Sequence, residues 1–421
     1  MSKTSLFLAS LLSTVLGVSF YFTKNKAHLG NQPTTVEYFA TMPLRESPYP
    51  MYQGVVRLSQ EAAEKRNHYR FEYDSLYRLV SVSFRFKDRL KDPNHTANYF
   101  ITSAETRIQY GSNEQLYTYY DRFGNSVLQR GVFKSIYKLD GQGRRVSLSF
   151  KNEKGDYIEN TWGIARYVWE HQNDGSVIEN RYNLNDYEVS LRPNFDFFRI
   201  RLSYEQNGVL ALMQNIDEQG RLIVNKSGAA QDKLVFDSEG RWLGWVVLGI
   251  NDELHRGNGP NVAKGINESN NYGYESGLRF EDVDGSPVMN SHGFWGSKRY
   301  YDQYGNYAVT HFTDSLGKPG TNAKSGYSYA KYTFDKNGFN RIKVELQDVN
   351  QQPTIHKTGG YATITYEYDS FDNRIKTNYL GLDGELINRA DNGVSFIRYE
   401  YDEKHKRIST KRYNKEGRLL N

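Results

Sequence analysis

Tyr300-Tyr301-Asp302-Gln303-Tyr304-Gly305-Asn306 is the stretch whose reading decides the fold. Equivalent segments align at Asp335, Asp369 and Asp402, spaced 33, 34 and 33, and earlier copies fall at Asp74, near Tyr110, then at Asp140, Asn173, Glu205, Asp237 and near Asn270. The residue before the aspartate is aromatic in most copies (Tyr73, Phe236, Tyr301, Phe334, Tyr368, Tyr401), with Leu139 the exception. The residue two earlier is large (Phe71, Tyr137, Leu234, Tyr332, Tyr366, Tyr399). A spacing of two marks a strand with one buried face. Asp-x-x-Gly then supplies a tight turn, because the carboxylate bonds to the backbone that follows it and glycine accepts a positive φ. A second strand follows, with Val80, Val82 and Phe84 in the first copy and Ile375 and Tyr379 in a late one.

The unit is thus a β-hairpin plus a glycine-punctuated connection, such as Phe280-Glu-Asp-Val-Asp-Gly285-Ser-Pro. In these connections Gly155, Gly220, Gly285, Gly317 and Gly384 are answered by Gly163, Gly228, Gly293, Gly326 and Gly393. Asn160, Asn225, Asn290, Asn322 and Asn388 stand between them. That column reads as an asparagine ladder or a repeated Asx-turn, or else as a row of amides offered to a polymeric ligand. A lone hairpin is marginal in water, so neighbouring units must pair or stack. The expectation is an all-β fold: about eleven ~33-residue hairpin repeats over residues 67–421, forming one continuous, twisted or curled antiparallel sheet.

Composition agrees. The 421 residues carry 54 Lys+Arg against 49 Asp+Glu, no cysteine, 34 Tyr and only 38% hydrophobic residues, with a mean hydropathy of -0.74. These figures exclude a disulfide scaffold, a thiolate metal site, a cysteine nucleophile and a polytopic membrane protein. They also leave aromatic rings to supply much of the buried area. Residues 1–28, with Lys3, an apolar run from Leu6 to Phe22, then Lys24 and Lys26, read as a signal peptide or signal-anchor helix. Residues 29–66, with Pro33, Pro43, Pro48 and Pro50, read as a linker holding one short helix around Ser59–Arg66.

Tyr-Glu-Tyr-Asp369, Phe-Glu-Tyr-Asp74 and Tyr-Tyr-Asp302-Gln-Tyr-Gly-Asn resemble the Tyr-Asp motif of YD repeats, found in bacterial Rhs and wall-associated proteins and in teneurins. The resemblance covers most of residues 67–421 and implies a β-sheet shell or spiral on a cell surface. The chain departs from the pattern in its longer unit, in the small shell it would form, and in lacking a toxin domain after the last repeat.

Little in the chain points to catalysis. The nine histidines have no metal-ligand spacing. Glu281-Asp282-Val-Asp284-Gly285 occupies an ordinary turn position rather than a calcium loop. No metal, cofactor or nucleic acid is expected, and no catalytic residue stands out. All five tryptophans (Trp162, Trp169, Trp242, Trp245, Trp295) lie between residues 162 and 295, and the unit from Trp242 has the most irregular connection, with His255 and Arg256. A copy that breaks the repeat is released from its packing constraint. Trp242, Trp245, His255, Arg256, His292 and Trp295 are therefore the candidate ligand-binding residues. The reading is a non-enzymatic protein of the cell envelope, periplasmic or on the surface, tethered or secreted, that binds a glycan or an extended peptide. The alternatives are a hydrolase or lyase acting on an envelope polymer, with carboxylates or His255 and His292, and a structural scaffold or toxin-associated shell. The closing charge run, Lys404, Lys406, Arg407, Lys411, Arg412, Lys415 and Arg418, reads as edge protection or as contact with anionic envelope polymers.

Overall fold

The computed structural model describes residues 33–42, 47–49, 52–93, 101–206 and 208–420. Among them lie 26 strands in one antiparallel sheet and a single four-residue helix, Gln60–Ala63. The helix starts where Ser59 Oγ accepts the Ala62 N–H at 3.2 Å. The hydrophobic segment 1–28 lies outside the described residues. No helix among those described is long and apolar enough to cross a membrane.

From Asn67 onward the strands follow one another in a meander. Strand Gly296–Tyr301 pairs with Tyr307–Thr313, which pairs in turn with Tyr329–Phe334. One departure is Leu79–Phe86, which pairs with the short Arg89–Leu90 at one end and with Glu105–Tyr110 along its middle. Part of the segment read as a linker is also strand. Thr35–Thr41 sits between Val55–Leu58 and Asn67–Tyr73, so the alternating Val36, Tyr38 and Ala40 begin the sheet despite the surrounding prolines.

Every hairpin depends on its turn. At Asp302 the N–H donates to Asn306 O at 2.9 Å and the Gly305 N–H returns to Asp302 O at 3.0 Å. Asp302 Oδ1 accepts the N–H groups of Tyr304 and Asn306 at 2.8 and 2.9 Å. Gly305 has φ 80°, and a register shift falls between Tyr300 and Tyr301. This is a short turn closed by a left-handed residue and a bulge, which adds local twist. The aspartates at 74, 140, 237, 369 and 402 do the same. Asp217, Asp314 and Asp348 repeat the device in the connections between hairpins. Burial alone would raise the Asp74 carboxyl, but bonds from the Arg78 side chain and from the Arg78 and Leu76 N–H groups outweigh it and hold the group below its usual range. In the fourth hairpin the turn opens at Gln172, whose N–H bonds to Ser176 O, one residue before the expected Asn173. The left-handed Gly175 sets that frame.

The aromatic residue before the aspartate has its own task. Tyr301, Tyr368 and Tyr401 donate their hydroxyls to Glu275 O, Arg341 O and Arg374 O at 2.7 to 3.0 Å, and Tyr110, which precedes Gly111, donates to Leu79 O at 2.9 Å, strutting these four hairpins to the ones before them. The asparagine column closes Asx-turns: Asn160, Asn225, Asn290 and Asn322 each accept two N–H bonds from their own loop. Backbone bonds then link loop to loop, as Ser291 N to Pro260 O, Ala323 N to Gly293 O and Lys357 N to Ser325 O.

The accumulated twist coils the sheet until late turns rest on the first hairpins. Asn67 N–H donates to Tyr304 O at 2.9 Å, Arg89 pairs with Asp372 at 2.6 Å, Asn125 Nδ2 donates to Lys404 O at 2.8 Å, and Lys406 meets Glu153 at 3.6 Å. The sheet is not closed. The main core fills the earlier coils, with Tyr69, Phe71, Tyr117, Tyr137, Phe150, Tyr167, Trp169, Phe195, Phe197 and Ile200 buried, and later hairpins keep only small clusters such as Ala330, Val344 and Leu346.

Asp302→Ala removes three charge-assisted bonds at one turn, from the Tyr304 and Asn306 N–H groups and from Asn306 Nδ2, and should lower the unfolding free energy by roughly 1–3 kcal/mol, read from urea titration. A second expectation concerns His68, buried at 1% exposure. Burial first, with Arg85 and Arg70 nearby and against a bond to Arg66 O, pulls its pKa down to about 4. A base with a depressed folded pKa leaves the unfolded chain binding the extra proton, so its stabilisation is present above pH ~6.5 and is lost on acidification toward pH ~4. Urea midpoints at pH 7 and pH 4.5 should show a loss of roughly 2–3 kcal/mol that His68→Phe abolishes.

Candidate functional site

The central tryptophans sit on the strand Trp242–Leu248. Trp242 faces Phe236 and Trp245 faces Leu234 across the hairpin, and their rings stack at 5.7 Å with 6° between planes. Trp245 lies directly on Gly265 of the next strand, where a β-carbon would come within 2.1 Å of the indole, and packs against Phe280 at 6.2 Å. Trp242 is half-buried and its carbonyl accepts Asn267 Nδ2 at 2.7 Å. The strand thus presents a parallel indole pair with one ring anchored and the other partly open.

The following connection holds His255 and Arg256. The His255 ring lies against Gly228, with Nδ1 at 2.5 Å from Arg256 O. Arg256 donates to Asn261 O and pairs with Asp282, both at 3.2 Å, which ties the irregular loop to the next hairpin. His292 is exposed and Trp295 half-buried in the connection after that. Among the described residues no hydrogen bond or ring contact joins either to the indole pair. Four of the six expected residues therefore fall on one strand and its loop, and two lie a unit away. Trp162 and Trp169 belong to the framework: Arg130 lies 3.8 Å over Trp162, and Trp169 donates to the buried Glu179 at 2.9 Å. Among the described residues no three His, Asp or Glu side chains gather as a metal site would require.

A second concavity arises where late coils meet early ones. A cleft of ≈ 480 Å³ has one wall from Lys91, Asp92 and Arg122 through Phe133 and another from Phe334 through Arg341, Tyr368 through Arg374, and Tyr401 through Arg407. Six basic side chains line it (Lys91, Arg122, Arg341, Arg374, Lys406, Arg407) against three carboxylates (Asp92, Asp121, Asp372). Each carboxylate is engaged: Asp92 by Arg122 at 3.4 Å, Asp372 by Arg89, and Asp121 by its own turn. Burial raises the Asp92 carboxyl, against the pull of Arg122. Lys91 is buried at the floor, donating to Asn67 Oδ1 and Asn306 Oδ1 at 3.1 Å, and burial pulls its pKa to about 7. Sequence reading missed this cleft apart from Lys406 and Arg407, although Arg341, Arg374 and Arg407 carry the repeat's own spacing of 33. Which early residues would face them became visible only in the coil.

No family model and no curated protein matches the chain. Among solved structures it is similar to the Tc holotoxin pore of Photorhabdus luminescens, at 12% identity over 82% of this chain and 19% of that one, with a TM-score of 0.27. It is similar to a TcdB2–TccC3–Cdc42 structure, at 11% identity over 88% and 24%, with a TM-score of 0.25. A porin-like protein from Bacteroides uniformis aligns at 10% identity over 66% and 87%, with a TM-score of 0.21. The chain thus spans about a fifth to a quarter of the toxin chains it matches.

Asn306, fully buried, accepts from Asn67 and Lys91 and donates to Asp302 and Gly338 O. Asn306→Ala leaves those groups unpaired and should cost roughly 2–4 kcal/mol, with hydrogen exchange at the Asn67 amide accelerating before that of the core strands.

Proposed function

We propose that the chain is a non-enzymatic β-repeat binding protein of the cell envelope, held there through residues 1–28, and that it takes a glycan or an extended peptide on its central face. The sheet is read as about eleven YD-type units, one of which, from Trp242 to Gly273, has given up regular packing in its connection to bind. The observation that carries this reading is the parallel Trp242–Trp245 pair, 5.7 Å apart, with the inner ring seated on Gly265. A flat ring already fixed by a neighbour costs little entropy when a sugar face or a peptide side chain stacks on it. Arg256, still partly exposed beside Asp282, and the amides of the adjoining loop supply polar contacts at its border.

Tryptophan fluorescence of the full chain against a panel of envelope glycans and peptides tests this, with the same mixtures weighed by mass spectrometry. A saturable shift with no new mass is expected, and Trp242→Ala should weaken binding roughly tenfold or more. A product of new mass would make the chain an enzyme. A shift indifferent to Trp242→Ala would remove the central face from the account.

A further inference from the structure

Arg341, Arg374 and Arg407 open the second strands of three successive hairpins and line one wall of the cleft between coils. Neighbouring strands lie ~4.8 Å apart, so equivalent residues of successive hairpins fall ~10 Å apart. None of the three has a carboxylate within ion-pair distance among the described residues, and none of their nitrogens is both buried and unpartnered. Tyrosine rings hold them instead. Arg341 lies 5.0 Å from the Tyr366 centroid, Arg374 5.5 Å from Tyr366 and 5.1 Å from Tyr399, and Arg407 5.7 Å from Tyr399. Two of the three guanidiniums have their backbone carbonyls pinned as well, by the hydroxyls of Tyr368 and Tyr401. The result is a row of guanidiniums set in place, with Arg341 giving one donor to the Tyr366 hydroxyl at 3.0 Å and Arg407 exposed, and the remaining donors of such forks suit carboxylate and sulfate groups.

We infer that this cleft is a binding site for an acidic polysaccharide, one with a carboxylate or sulfate on alternate sugars. The site shares no residue with the central face, so it stands or falls separately from the function proposed above. Periodicity selects the ligand class. An extended peptide brings same-face side chains every ~7 Å, out of step with the ~10 Å row. Single-stranded nucleic acid needs free aromatic faces for its bases, and Tyr366 and Tyr399 are each already engaged by two guanidiniums. A glycan with its anions one disaccharide apart meets the row in register, and the half-buried Tyr401 borders the neutral sugars between. Arg122 on the facing wall, its side chain buried and held by Asp92, donates to Asn373 at 3.3 Å and so ties the two walls together.

The test uses the full chain and three probes: hyaluronan oligosaccharides, which carry a carboxylate on alternate sugars, neutral dextran oligosaccharides of equal length, and a single-stranded oligothymidylate. Calorimetry should show salt-sensitive binding of the hyaluronan probe alone. The double variant Arg341→Gln/Arg374→Gln should bind at least tenfold more weakly, and Lys411→Gln/Arg412→Gln, outside the cleft, should bind as the parent does. Because the arginines also touch tyrosines, the exposed Arg407→Gln serves as a milder variant, with roughly threefold loss expected and an unchanged melting curve. Tighter binding of the oligothymidylate than of hyaluronan would overturn the assignment in favour of a nucleic-acid groove. Equal binding by the parent and by all cleft variants would assign any affinity to general surface charge, and no binding of hyaluronan at all would remove the site.

Discussion

One carboxylate oxygen accepting the N–H groups two and four residues ahead, over a residue in the left-handed conformation, is the interaction on which this molecule depends. It closes most hairpins in the fewest residues, with a bulge at the last pair, while an amide oxygen does the same at Asn270 and the fourth turn opens at Gln172. Each bulge adds twist of one hand. Summed along a meander with no crossovers, that twist cannot yield a flat sheet, and the coil brings Tyr304 against Asn67 and Lys406 against Glu153. Glycine serves at the left-handed position of Asp302's turn, yet Tyr77, Asp372 and His405 stand there in others. All three make a contact there: Tyr77 donates to Glu37, Asp372 pairs with Arg89, and the His405 ring meets the Asn373 amide and stacks on Phe123.

The coil also accounts for a core poor in aliphatic residues. Between stacked hairpins the spacing is filled by tyrosines and arginines in alternation, with hydroxyls bonded to carbonyls and guanidiniums over rings. One fully enclosed ion pair is partnered on several sides. Arg181 and Glu179, both at 0% exposure, pair with each other at 2.5 Å while Arg181 also donates to the Phe197 and Phe198 carbonyls and Glu179 accepts from Trp169. Removing one member would strand the other in a medium of low dielectric.

Local features were legible in the chain before any coordinates. The Asp column, the alternation before it and the glycine pairs all act within a few residues, and they predict strands, turns and an antiparallel sheet. What escaped was set by residues far apart. Thr35–Thr41 pairs as strand because Asn67–Tyr73 offers it an edge, which outweighs the prolines that flank its alternation. The Gln172 turn is displaced from Asn173 because the left-handed glycine, not the side-chain oxygen, sets the frame. At the candidate sites, Trp242 and Trp245 were found through their irregular unit. The arginine row was hidden in plain view, since its period equals that of the fold and its counterparts Lys91 and Arg122 come from more than 200 residues away.

Coiling of the sheet onto itself is the central claim, and one distance tests it. The chain has no cysteine, so spin labels can be placed singly at Glu153→Cys and Lys406→Cys, two half-exposed partners of one ion pair. The account predicts a short, narrow distance distribution by pulsed electron resonance. A sheet that ran on without coiling would separate the labels by on the order of 70 Å at ~4.8 Å per strand, and a distribution centred there would contradict the coil, the seam and the cleft together.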